Sequence, residues 1–105
     1  MKTAAQIDLE GIIQGVGFRP FVHRLALSFH LDGFVLNTSR GVSIRAEGER
    51  KTIRTFLEAL LSGPPPLARI TGSHIKFLPP SGISGFEIRA SRKLDSKAAL
   101  VSPDI

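Results

Sequence analysis

Residues Gln14, Gly15, Val16, Gly17, Phe18, Arg19 and Pro20 put two glycines, one arginine and one proline directly behind an alternating apolar stretch. Glycine adopts left-handed backbone at little steric cost. Successive N–H groups in a turn that opens into a helix form a concavity for anions, reinforced by the positive end of the helix dipole. Arg19 adds a planar, permanently charged guanidinium that can hold a phosphoryl group through two oxygens at once. A plain strand-to-helix turn is the alternative reading. The segment lacks the Lys-Ser/Thr pair of a nucleotide P-loop and the third glycine of a dinucleotide fingerprint. The chemistry open to Gly15, Val16, Gly17, Phe18 and Arg19 is therefore the cradling of a phosphate.

Asn37 follows a short apolar run, where asparagine most often starts a hairpin turn. The second reading is an amide that orients a water molecule: the strand ending at Asn37 is expected to run close to the first strand, bringing the amide toward the glycine loop. The three histidines offer less. His23 and His30 are seven residues apart on one predicted helix, too distant to share a metal ion, and His74 lies on a poorly defined strand. All three read as surface or boundary residues. With no cysteine in the chain, disulfides and thiolate metal sites are excluded. No serine–histidine–acid set or carboxylate pair stands out, so no metal and no cofactor is expected. Positive charge and one amide suit a substrate that is already activated. In an acyl phosphate, water can attack phosphorus without a strong base, and electrostatic holding of the phosphoryl group supplies most of the catalysis.

The elements that must position these residues are legible from periodicity. Residues 5–13 alternate, with Ile7, Leu9, Gly11 and Ile13 on one face and Gln6, Asp8 and Glu10 on the other, which predicts a half-buried strand. Residues 20–31 carry Phe21, Val22, Leu25, Ala26 and Phe29 at helical spacing, and Pro20 suits the first helical position. Asp32 and Gly33 stop that helix. Residues 34–37 and 42–47 predict a hairpin, with Val42, Ile44 and Ala46 inward and Gly41 available for positive φ. Residues 49–62 carry Ile53, Phe56, Leu57, Leu60 and Leu61 in the helical pattern, ended by Gly63 and three prolines. A fourth strand over 68–78 is interrupted by Gly72, and residues 86–89 predict a short fifth with Phe86 and Ile88 inward. Residues 92–105 show no sustained period and read as a tail or linker behind a domain at 1–91. The order β-α-β-β-α-β plus a short strand predicts an α+β fold: a ferredoxin-like βαββαβ sandwich, a mostly antiparallel sheet with two helices on one face.

The totals bound the class. A length of 105 residues fits one domain, and 42% hydrophobic with 22% charged residues is ordinary globular composition. No apolar run approaches the roughly 20 residues of a membrane span, and Asp8 and Glu10 come too early for a secretory signal. No membrane partner and a cytoplasmic home are expected. The net charge of +5 favours anionic partners. The basic residues are scattered, though, and tyrosine and tryptophan are absent. Nucleic acid is therefore not expected as a partner, and a ferredoxin-like RNA- or ligand-binding module ranks last.

The stretches GIIQGVGFR (11–19) and GFVLNTSRGVSI (33–44) resemble the two signatures of the acylphosphatase family, and GPPPLARI (63–70) and FEIR (86–89) fall where that family has them. The resemblance covers about residues 5 to 90. It implies that the 15–19 loop and Arg19 bind phosphate and that Asn37 positions the attacking water. Ile13 departs from the usual valine. Arg40 stands where an acidic turn residue is common, adding charge near the mouth of the loop or pointing into water. GVGFRPFV (15–22), PPLARI (65–70) and the closing VSPDI (101–105) are similar, further, to the N-terminal domain of the HypF family. These carbamoyltransferases help build the cyanide ligands of nickel–iron hydrogenase. That resemblance implies carbamoyl phosphate as substrate, a zinc-binding region and nucleotide-using domains following in the same chain, and a hydrogenase maturation protein as partner. A stand-alone acylphosphatase of broad specificity is the alternative.

Overall fold

The computed structural model describes residues 2–13 and 15–90. Their elements run β1 (Lys2–Ile12), α1 (Phe18–Ser28), β2 (Asp32–Asn37), β3 (Gly41–Glu49), α2 (Arg50–Ser62), β4 (Arg69–Leu78) and β5 (Phe86–Ile88). They form a five-stranded sheet in the order β4-β1-β3-β2-β5. β1 pairs antiparallel with β3 and β4, β2 antiparallel with β3, and β2 parallel with β5. Both helices lie on one face, as in the expected ferredoxin-like fold.

Strand alternation explains that face. Ile7, Ile44 and Val35 share one register row across β1, β3 and β2, and all three are fully buried. Into them α2 sends Ile53, Phe56 and Leu60, and α1 sends Phe18, Val22 and Ala26. Each of the larger side chains contributes about 1.5–3 kcal/mol through burial. Leu57 is half-buried at the edge of this stripe, and Leu61 stays 43% exposed.

Several expectations need correction. β1 and β2 are not neighbours, because β3 lies between them. Both run antiparallel to β3, so β1 and β2 point the same way and their C-terminal ends share one end of the sheet. Pro20 is the third helical residue rather than the first. It costs nothing there, because the first α-helical bond runs from the Phe21 amide to the Gly17 carbonyl. Gly41 does not use positive φ. It is glycine because an added Cβ would lie 2.0 Å from the Leu9 carbonyl oxygen. Ile88 is 43% exposed, while Phe86 of the same strand is buried as expected; β5 is an edge strand, and only its first side chain reaches under α1. Residues 92–105, read as a tail or linker, lie outside the described residues.

Candidate active site

β1 ends with Ile12 exposed and Ile13 buried, so the chain enters the glycine loop anchored by one side chain. Gly15 and Gly17 both have φ of 79°, and Val16 between them is not in the positive range. An alternating φ sign turns successive amides to the same side, which is the geometry of an anion nest. A Cβ at either glycine would meet nothing within 4 Å, so backbone conformation, not crowding, demands glycine there. Gly17 is also the N-cap of α1, which opens with no side-chain cap and no acidic residue in its first turn. The first turn of this helix therefore supplies no acid to its positive end. Phe18 turns its ring into the core, 5.6 Å from that of Phe21, so only its backbone faces the loop.

Arg19 is half-buried, and its guanidinium Nη1 donates to the Arg89 carbonyl at 3.3 Å. It has no carboxylate partner among the described residues. The Arg89 amide in turn donates to the Val35 carbonyl at 2.9 Å, which ties Arg19 to the last turn of pleat before the end of β2. Asn37 closes that strand. It is level with Val42 and, one strand further, with Leu9, and alternation puts it on the helix side of the sheet with them. α1 descends from the glycine loop and β2 climbs back, so Asn37 returns to the end of the sheet where the loop lies. Its side-chain amide makes no hydrogen bond to any described residue. The fold thus brings the 15–19 loop, Arg19 and Asn37 to one end of the molecule, with one cation and one amide uncommitted to acids.

Thr38 braces the turn behind Asn37: its hydroxyl accepts the amides of Arg40 at 3.3 Å and Gly41 at 3.1 Å. Arg40 neither joins the loop nor stands alone in water. It pairs with Glu10 at 3.4 Å, with the two side chains 78% and 35% exposed. His23 is half-buried against Phe86, and His30 and His74 are exposed. Among the described residues no group of three or more histidine or acidic side chains is placed to hold a metal ion, and no helix is long and apolar enough to cross a membrane.

One charged residue escaped the sequence reading. Glu47 lies on the face of β3 opposite Val42, Ile44 and Ala46, yet it is 2% exposed. Burial pushes its carboxyl up, but donors outweigh that: the Ser81 hydroxyl, Arg45, and the amides of Ser81 and Gly82 bring it from 4.5 down to about 2. The only signal was an acid in a strand followed, thirty-odd residues later, by a glycine–serine loop, and nothing in that spacing says the two meet.

A model of the acylphosphatase family matches residues 5–88. An acylphosphatase of Thermotoga petrophila is 41% identical over 87 residues, which cover 82% of this chain and 96% of that protein. A probable carbamoyltransferase HypF of Methanocaldococcus jannaschii is 36% identical over 109 aligned residues, covering 100% of this chain and 14% of the relative. A crystal structure of full-length HypF in the phosphate- and nucleotide-bound form superposes with a TM-score of 0.84 at 36% identity, over 89% of this chain and 13% of that one. The chain spans between 8% and 14% of the length of these carbamoyltransferase relatives. Its fold, its two signatures and a family match over nearly all the described residues agree: the chain belongs to the acylphosphatase family.

Proposed function

We propose that this domain binds carbamoyl phosphate and hydrolyses it to carbamate and phosphate. The amides of Gly15, Val16, Gly17, Phe18 and Arg19 and the Arg19 guanidinium hold the phosphoryl oxygens. Asn37 orients a water for attack on phosphorus. The phosphorus–oxygen bond to the carbamoyl group breaks, carbamate leaves as the anion, and the water's proton passes to solvent at neutral pH. Because the leaving group is a stabilised carboxylate-type anion, no acid is required to protonate it. Fixed donors aimed at the developing charge carry the rate. The observation that carries this reading is Arg19 at the opening of a loop with alternating φ, without a carboxylate partner among the described residues and tied by Arg89 to the strand that ends in Asn37.

Two carbamoyltransferases align over the whole chain, and another is 46% identical over 82% of it, against 41% for the acylphosphatase of Thermotoga petrophila over the same share. That supports carbamoyl phosphate ahead of a broad range of acyl phosphates, and with it a cytoplasmic setting. In the longer protein, following domains would activate the product with ATP and pass it to a cysteine of a hydrogenase maturation partner. The test is phosphate release from carbamoyl phosphate and from benzoyl phosphate by the wild type, Arg19→Ala and Asn37→Ala. Both folded variants are expected to lose roughly 10²-fold or more, the scale for deleting one charge-stabilising donor. Wild-type release no faster than background on either substrate would remove hydrolysis; equal rates on both would favour the broad-specificity alternative.

A further inference from the structure

The segment joining β4 to β5, residues 79–85, reaches the helix-free face of the sheet and is latched there to one carboxylate. Glu47 accepts the Ser81 amide at 3.1 Å, the Gly82 amide at 3.1 Å and the Ser81 hydroxyl at 2.6 Å. Arg45 closes the cluster, donating to Glu47 at 3.0 Å and to the Pro79 carbonyl at 3.4 Å. At the far end of the segment, Asp32 accepts the Gly85 amide at 2.9 Å and the Gly85 carbonyl accepts the Gly33 amide at 2.8 Å.

This latch holds more than a loop. β5 is three residues long, lies at the sheet edge and pairs only with β2. A pairing that short does not fix a strand unaided, and left-handed glycines at 82 and 85 give the preceding segment ample freedom to lose. Phe86 pins the first residue in the core and Ile88 is exposed, while at the exit the Arg89 amide donates to the Val35 carbonyl and its guanidinium lies 4.0 Å over the Phe34 ring. With both ends of so short a strand held, the direction of β5 depends in part on its entry, and the carbonyl at its exit, that of Arg89, is what Arg19 leans on. From Gly85 to Arg89 is four residues, roughly 13 Å of strand.

With Arg19 taken as the cation that meets the phosphate, we propose that Glu47 is a positioning residue for Arg19, acting through residues 79–85 and β5 without touching substrate. Replacing the carboxylate loosens the entry to β5, lets the Arg89 carbonyl wander and leaves Arg19 spread over several orientations. Phosphate affinity falls while the packed core is unchanged.

The experiment measures binding of inorganic phosphate, together with the side-chain Nε–H resonance of Arg19, in the wild type, Glu47→Gln and Ser81→Ala. Ser81→Ala removes one donor from an exposed position, so it remains informative if Glu47→Gln fails to fold. The same substitutions are repeated in Arg19→Ala. Weakening of phosphate binding by about five- to tenfold, with a shifted or broadened Arg19 resonance, is the expected result, and in Arg19→Ala the further loss vanishes. Unchanged affinity in the folded variants, or an equal loss with and without Arg19, would overturn the positioning role. If Arg19→Ala alone leaves phosphate binding intact, the reading of the loop as a phosphate site fails first and the positioning role falls with it.

Discussion

Two glycine-bearing loops lie toward opposite ends of the sheet, and they treat negative charge in opposite ways. Residues 79–85 contain Gly82 and Gly85 at φ of 84° and 83°, and the amides of Ser81 and Gly82 clasp the protein's own Glu47 carboxylate. Residues 15–19 contain Gly15 and Gly17 at φ of 79°, open into a helix without an acidic first turn and carry Arg19 with no carboxylate partner among the described residues. The materials are the same in both: left-handed glycine, backbone amides and one arginine beside them. The difference is the resident anion. Where the chain supplies one, the cradle becomes a structural latch strong enough to hold the carboxyl ionised down to about pH 2. Where no described residue supplies one, the cradle stands open, and in the function proposed above it takes its anion from solution.

The largest expected break is to fill the open loop from within. Asn37→Asp keeps the shape of the side chain but sets a fixed negative charge at the end of the sheet where the proposed substrate dianion would bind. The rate constant kcat/KM for an acyl phosphate near pH 7 is expected to fall by roughly 10²-fold or more, measured from initial rates on protein shown to be folded by circular dichroism.

Emptying the filled cradle comes next. The Glu47 carboxyl is lowered in the folded state from 4.5 to about 2, so the folded chain binds its proton less readily than the unfolded one. Its contribution is therefore fully present above pH 4.5 and drains away as pH falls toward 2, by about 3 kcal/mol in all. Urea unfolding at a series of pH values should follow this sign. In Glu47→Gln the protein should be weaker at pH 6 and its decline between pH 4.5 and 2 shallower, since Arg45, Ser81 and Gly82 then face a group that does not titrate.

A smaller test compares the two loops directly. Gly17 and Gly82 have nearly equal positive φ, and a Cβ at either would meet nothing within 4 Å. Gly17→Ala and Gly82→Ala should thus each cost about 1–2 kcal/mol from conformation alone, read as matching shifts of the urea midpoint. Smallest of all is Arg40→Ala, which breaks an exposed pair with Glu10; its expected cost is at most about 0.5 kcal/mol.

The open cradle was the more legible of the two in sequence, for a physical reason. Its residues are contiguous, and glycine, arginine and proline each restrict the chain locally, so Gly15 to Arg19 could be read as one device. The helix over Arg50–Ser62 was legible on the same ground, because Ile53, Phe56 and Leu60 repeat at helical spacing. What the sequence did not reveal lies between distant segments. Alternation put Val42, Ile44 and Ala46 on the inward face, but it cannot say that residues 79–85 fold over the opposite face and bury Glu47 there. Gly41 was read as a turn glycine, whereas the approach of the Leu9 carbonyl, thirty-odd residues earlier, makes it necessary. The placing of Asn37 at the loop's end of the sheet was expected from its strand running close to the first. It follows from β1 and β2 running parallel on either side of β3.

The most direct test is a titration of the ¹⁵N-labelled domain with inorganic phosphate, following every backbone amide. The open-cradle account predicts that the amides of Gly15 to Arg19 shift together and saturate, that those of Ser81 and Gly82 stay near their free positions, and that Arg19→Ala moves saturation to much higher phosphate concentration. Shifts scattered over the basic surface, or an unchanged response in folded Arg19→Ala, would contradict it.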